Sequence, residues 1–453
     1  MNDLKMKIYE KSPIFIQHML ATLEGRRRSN KRFGNVYWSF LSELEQRDYT
    51  NEQEEIRYQE REMQQLIQHA VKNSSFYKEF YKGIDIDSIR TVADLKKLPL
   101  LSKEIVRENI ESMYTINKKT AIVSHTSGTS GKALRFYYTP DDIQKRMAHL
   151  DFFKKQHGVI NMKMKRASFS DSRFIPKNQR TKIFWRDNYA IKQRLYSAAH
   201  CQVQNAEIIA KNLNDYKPLS MDGLPSAIYE IAKWINDHNY PLSFQPIAIF
   251  TTAETLYPHY RKEIEKAFGC KIRDQYASSE GAPFIAECKE GSYHYNLTSG
   301  VVEIADDGEI FVTCFNTYGT PLIRYGVGDR VKVSNQQKKC TCGSVHPVIE
   351  SIEGRTNDYL QSKTKGKFTA SHLSFVNEEF AGAIRKMQFR QKSLDTIHIL
   401  VEATEKYTKE LTGIIHEEME YMLGEDIDIQ ISIVDQIPQG PNSKFRLIIN
   451  EIE

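Results

Sequence analysis

The spacing of apolar residues changes along the chain. From residue 1 to about 90 they recur at helical intervals among charged residues. Glu52 to Ala70 is rich in strong helix formers, with Ile56, Met63, Leu66 and Ile67 as its expected buried stripe. Ser74-Ser75-Phe76-Tyr77 breaks that pattern. From 118 to 350 short apolar runs alternate with helix-like segments, which predicts an α/β body. Pro246 to Phe250 reads as a buried strand, Tyr257 to Phe268 as the helix after it, and Lys271 to Tyr276 as the next strand. Between Val301 and Val333 the pattern turns β-rich, with Asp306-Asp307-Gly308 as a hairpin turn. From about 356 a last α/β segment runs onward, and no internal repeat or low-complexity tract interrupts the chain.

At 453 residues, the chain is too long for one core, so two or more domains are expected. Hydrophobic residues make up 40% and charged residues 27%, as in soluble enzymes. No apolar run reaches membrane-spanning length, and Met1-Asn2-Asp3-Leu4-Lys5 lacks a signal-peptide core, so a cytoplasmic location is expected. The net charge of +5 is small. Its densest cluster, Arg26-Arg27-Arg28 with Lys31 and Arg32, could touch nucleic acid or anionic lipid. Without interleaved aromatics or a nucleic-acid module it reads instead as a solvated face, and no nucleic-acid partner is expected.

The chemistry begins at Ser124-His125-Thr126-Ser127-Gly128-Thr129-Ser130-Gly131-Lys132. Two glycines permit close backbone approach to an anion, Thr126, Ser127, Thr129 and Ser130 add hydroxyl donors, and Lys132 adds charge. The spacing is not that of a Walker A loop, and Ala133 follows the lysine. The segment reads as a polyphosphate-binding loop or as a Gly/Ser/Thr turn between the strand-like runs at 121–123 and 134–138.

Further motifs follow in order. They are Thr252-Ala253-Glu254-Thr255-Leu256, Gln275-Tyr276-Ala277-Ser278-Ser279-Glu280-Gly281, Pro321 to Asp329, Ile352 to Asp358 and Pro438 to Arg446. Together with the loop, their order and spacing resemble the adenylate-forming (AMP-forming) acyl-activating enzymes. Among these the chain looks most like the phenylacetate–CoA ligase-like branch, with its relatives in capsular polysaccharide biosynthesis. The resemblance implies a large N-terminal adenylating domain, 1–354, of mixed sheets with helices and a β-rich distal part. A small, mobile α+β C-terminal domain, 355–453, would follow, hinged near 355–362.

The activity implied is ATP-dependent conversion of a carboxylic acid to an acyl-adenylate with release of pyrophosphate, then acyl transfer to an acceptor. In that scheme Thr126, Ser127, Gly128, Thr129, Ser130, Gly131 and Lys132 hold the β- and γ-phosphates, and Glu280 holds Mg²⁺. Ala253, Glu254, Gln275, Tyr276 and Ser279 line the nucleotide site, with Tyr276 against the adenine. Asp329 accepts from both ribose hydroxyls. Arg355 sits near the α-phosphate, and Lys444 reaches the charge that develops during adenylation. The sequence departs from the family at Ser443, where glycine usually precedes the lysine. It departs again at Gln361 to Thr369, which is basic and lacks the Phe-Pro pair of CoA-using members. The acceptor is therefore open among CoA, an amine, a sugar or a carrier protein. A ligase decorating surface polysaccharide and a non-catalytic nucleotide-binding homologue are the alternatives. A homodimer is compatible with either.

Six cysteines do not make a disulfide framework. Cys340-Thr341-Cys342-Gly343 is a knuckle, and Cys288 with His294 lies upstream. Three thiols and one imidazole suit a closed structural Zn²⁺ site, if the two halves meet. Otherwise Cys288 is buried and the other two are exposed thiols. Cys201, Cys270 and Cys314 read as core residues.

Overall fold

The computed structural model describes residues 8–125, 134–170, 174–176, 179–278, 280–333, 339–355, 359–363, 366–369, 373, 382–424, 426–438 and 445–452. The fold is mixed α/β. The chain divides into two compact units: Met1–Leu256 with Tyr260–Val327 and Val331–Ser351, and Tyr257–His259 with Gly328–Arg330 and Ile352–Glu453.

The first unit opens with helices Ile14–Arg32, Asn35–Gln46, Glu52–Asn73 and Ser75–Phe80. Asn51 caps the third by accepting from the Glu54 amide at 3.2 Å, with Glu52, Glu54 and Glu55 in its first turn, where the helix dipole favours acids. Met63, Leu66 and Ile67 are buried as expected, but Ile56 is not, at 39% exposure. Tyr58, Gln59 and a fully buried Glu55 complete the inward face instead. Ser74 ends this helix and caps the next through the Tyr77 amide.

A nine-stranded sheet forms the body. Its middle is parallel: Gln193–Ser197, Arg166–Ser170, Ser220–Gly223, Ala248–Thr251 and Ile272–Tyr276 lie side by side. Trp185–Asn188 adds an antiparallel strand at one edge. At the other edge, Ile285–Glu287, Tyr293–Tyr295 and Val348–Ile349 are added antiparallel. The strand Ala248–Thr251 is buried throughout, which is why it reads as a continuous apolar run and not an alternating one. Helix Pro140–Gln156 packs on this sheet through Phe153, which meets Phe250 at 5.4 Å between ring centroids. The next residue, Lys154, only 3% exposed, reaches Asp222 of the central strand at 2.7 Å. Burial would raise the Asp222 carboxyl, but Lys154 and Arg166 outweigh it and hold it near 2.

Strands Gly300–Ile304 and Glu309–Cys314 pair antiparallel around the expected turn, where Gly308 adopts φ +87°. The second unit has its own core, built from Met387, Phe389, Ile397, Ile399, Ile415 and Met419 among others. Its four-stranded sheet runs Asp428–Ile433, Thr396–Ala403, Ile384–Gln391, Ile448–Asn450, with helix Lys409–Leu423 beside it. Tyr359–Ser362, within the stretch expected to be a hinge, is a strand paired antiparallel with Gly366–Thr369.

Candidate active site and Cys/His cluster

In parallel α/β sheets, ligands bind beyond the carboxyl ends of the strands. Two of the motifs start there. Thr251 is in register with Asp274 on the neighbouring strand, so Thr252-Ala253-Glu254 and Gln275-Tyr276 leave the same edge together. Thr251 Oγ1 donates to Asp274 Oδ1 at 2.5 Å and Tyr293 OH to Asp274 Oδ2 at 2.8 Å. Burial of Asp274 raises its carboxyl to about 6. Ala253 has φ +70°, an uncommon backbone state for alanine. Glu254 Oε2 accepts the Ser226 amide at 3.1 Å, so it also caps helix Pro225–Asp237. Among the described residues, the buried Gln275 side-chain oxygen finds no hydrogen-bond partner.

Glu280 follows in a turn and is 9% exposed. Gly281 has φ +84°, and its amide bonds to Ser278 O at 3.2 Å. A Cβ there would lie 2.9 Å from Thr317 Cγ2. Arg146, on helix Pro140–Gln156, holds the same turn by donating to Ser278 O at 2.8 Å. Its guanidinium lies 4.9 Å from the centre of the Tyr138 ring. Tyr138 ends the strand Arg135–Tyr138, which pairs with Ile122–His125, so the strand-like runs on either side of residues 126–133 are strands. Residues 126–133 lie outside the described residues, as do Ser279 and Lys444. Asp329 belongs to the second unit, in Gly328–Arg330, and only the backbone of Arg355 is described. Gly281→Ala is expected to cost about 1–2 kcal/mol from the left-handed backbone alone, plus the Thr317 clash, measured as a drop in thermal midpoint.

The Cys/His halves do meet. The ligand atoms of Cys288, His294, Cys340 and Cys342 all lie within 4.8 Å of one another. Strand pairing brings them together: Tyr293 is in register with Glu287 on one side and with Ile349 on the other. Cys288 Sγ and Cys340 Sγ are 3.7 Å apart, and Cys342 Sγ is 3.5 Å from His294 Nε2. Tetrahedral zinc with ordinary bond lengths requires edges of about 3.8 Å between sulfurs and about 3.6 Å from sulfur to nitrogen. The donor set and its spacing therefore fit the ion.

The surroundings fit as well. His294 Nδ1 lies 2.7 Å from His346 O; donating there leaves the Nε2 lone pair facing the thiols. His346 Nε2 in turn meets Glu55 Oε2 at 2.9 Å, and Arg47 Nη2 meets Glu55 Oε1 at 2.5 Å. Burial pushes the Glu55 carboxyl up, but His346 and Arg47 outweigh it and hold it below the usual range. Burial raises the Cys342 thiol to about 12. At Cys340 hydrogen bonds from Ser292 and the Cys342 amide outweigh burial and lower it to about 6. Cys201 and Cys314 are core residues, whereas Cys270 is only half-buried and lines an open cavity of about 590 Å³ with Lys271, Arg273 and Lys289.

Comparison with known proteins gives this geometry a family. Protein CapK of Staphylococcus aureus is 36% identical over 458 residues, 98% of this chain and 99% of that protein. The chain belongs to the CapK-like branch of the adenylate-forming enzymes. Residues 360–451 match the CapK C-terminal domain. The phenylacetate-coenzyme A ligase of Thermus thermophilus is 20% identical over 78% of this chain and 82% of its own length. Among solved structures, 2-hydroxyisobutyryl-CoA ligase in the postadenylation state shares the fold, with a TM-score of 0.67 at 16% identity over 86% of this chain and 88% of that one.

Several residues of this CapK-like site carry no signal in the sequence. Arg146 is one polar residue among many on its helix, and the turn it holds lies 132 residues away. Glu55 and His346 meet across 291 residues. The Cys340 and Cys342 knuckle, with Cys288 and His294 upstream, marks the cluster in advance.

Proposed function

We propose that this CapK-like enzyme activates a carboxylic acid with ATP. The carboxylate oxygen attacks the α-phosphorus, giving an acyl-adenylate and pyrophosphate. A nucleophile then takes the acyl group, loses a proton and releases AMP. The observation that carries this is the convergence of two motif-bearing segments at the carboxyl edge of neighbouring parallel strands, beside the nearly buried Glu280. Such a reaction needs alignment and charge neutralisation more than covalent help from the protein. Glu280 would hold Mg²⁺, which neutralises phosphate charge when bound. The unpartnered oxygen of Gln275 is an acceptor that a nucleotide N–H would satisfy. Arg146 and Gly281 fix the turn that aims Glu280. Thr126 to Lys132 would cradle the β- and γ-phosphates, with Tyr276 on the adenine and Arg355 at the α-phosphate.

Acid-dependent pyrophosphate release across a panel of carboxylic acids tests the reading. No release with any acid would overturn it. Asp329→Ala should weaken ATP binding, because two ribose hydrogen bonds to a charged acceptor are lost, each about 1.5–3 kcal/mol. Unchanged affinity by calorimetry would remove Asp329 from the site. An acceptor other than CoA is the second reading, favoured by the basic stretch Gln361 to Thr369 without proline. A screen of CoA, amines, sugars and carrier proteins with preformed acyl-adenylate separates the two.

We also infer that Cys288, His294, Cys340 and Cys342 hold one zinc ion. Four protein ligands leave no position for substrate, so the ion would be structural.

A further inference from the structure

The helix Ile14–Arg32 is inverted relative to an ordinary surface helix, which buries its apolar stripe. Its inward side is polar or small, with Gln17 and Gly25 as its buried residues. Gln17, 3% exposed, accepts from Arg186 Nε at 2.8 Å. His18 Nδ1 accepts the Asp187 amide at 2.7 Å, and Thr22 Oγ1 donates to Asp187 O at 3.3 Å. Its outward side is apolar. Phe15, Met19 and Leu23 recur every fourth residue and are 66%, 59% and 62% exposed. Arg26 and Arg27, both exposed, continue the same side into the next turn. Tyr189, 68% exposed, borders the stripe, since its amide donates to Thr22 Oγ1 at 3.2 Å. Folding has left three large apolar side chains in water on one face, while spending polar ones on the contact with the body.

We propose that this face docks on an anionic lipid surface, with Phe15, Met19 and Leu23 entering the headgroup boundary and Arg26 and Arg27 against the phosphates. Charge decides the occupant. Residues 24–32 carry five cations and one acid, Glu24, which pairs with Arg27 and Arg28. A second copy would pair this helix antiparallel about Met19. That sets Phe15 against Leu23 but Arg27 against Lys11, cation on cation. A stripe of three side chains is also small for a stable protein interface. A bilayer surface matches an apolar stripe continued by arginines, with an aromatic at the edge. Among the described residues no helix is long and apolar enough to cross a membrane, so the contact would be peripheral.

Sedimentation of the full-length protein with vesicles tests this. Binding is expected to vesicles of phosphatidylcholine with phosphatidylglycerol, weakening as salt rises, and not to phosphatidylcholine alone. F15S/M19S/L23S should lose about tenfold or more. R26S/R27S should lose on the order of 20-fold and leave a residue of binding less sensitive to salt. All five apolar and basic surface changes should leave the thermal midpoint close to that of the parent, which separates lost docking from lost folding. Equal retention by neutral and anionic vesicles, or R26S/R27S binding like the parent, overturns the proposal. So does a dimer in analytical ultracentrifugation that F15S/M19S/L23S converts to monomer.

Discussion

Lys444→Ala is expected to reduce acid-dependent pyrophosphate release by roughly 10²–10³-fold, the loss typical of a donor that acts on charge developing in a transition state. The resemblance places the residue, within the Pro438 to Arg446 motif, at the family's catalytic lysine. Its ammonium would meet the bridging oxygen only as the acid attacks, so ATP binding should change little. The second half-reaction provides the control. Consumption of a supplied acyl-adenylate should be largely spared, because the charge that Lys444 balances has by then left with pyrophosphate. Near-normal pyrophosphate release from the alanine variant would sink the assignment.

Removing a zinc ion held at the proposed Cys/His site should have the largest effect on stability. Cys288 and Cys340 stand 52 residues apart in sequence, and an ion between them closes that stretch as a covalent crosslink would. On the chain-entropy model such a closure is worth about 4 kcal/mol. The strands of the cluster are already paired in the sheet, so the domain should persist without metal but melt earlier, by roughly 5 °C or more. Cys342→Ala should lower zinc content and thermal midpoint together, with activity lost only through unfolding. Elemental analysis is the simplest check. Zinc well below one per chain, in protein never exposed to chelator, would end the idea and leave the adenylation reading untouched.

What the sequence made legible follows how local each signal is. Helix Pro258–Phe268 and strand Ile272–Tyr276 lie where their periodicity puts them, because length, apolar spacing and the intervening Gly269 are short-range properties. The turn at Asp306-Asp307-Gly308 was readable because its residue types dictate its backbone. Ile56 was misplaced for the opposite reason. Glu55 takes the buried position because Arg47 and His346 pay its desolvation, and His346 is far away in sequence. Whether the Cys/His halves meet depended on the pairing of Tyr293 with Ile349, a register that no window of sequence contains. The inverted helix Ile14–Arg32 was hidden likewise, since its polar partners lie on Trp185–Asn188. At the candidate site the motifs named Glu280, Gln275 and Tyr276, but not Arg146, which supports them from another element.

The Lys154–Asp222 pair ties helix Pro140–Gln156 to the middle strand of the body, and burial makes its two positions interdependent. Losing Asp222 strands the Lys154 charge out of water, at a cost of about 3–5 kcal/mol, whereas losing Lys154 leaves Asp222 with Arg166 at 3.5 Å; replacing both members of the pair with apolar groups of similar volume can be neutral. Substitution at 222 alone is therefore the fitness valley between two acceptable states, and substitution at 154 alone the shallower path. Descendants of this chain should avoid the valley by changing 154 first or both residues together, so the two sites should covary across homologues while the exposed pairs on the same helices drift independently.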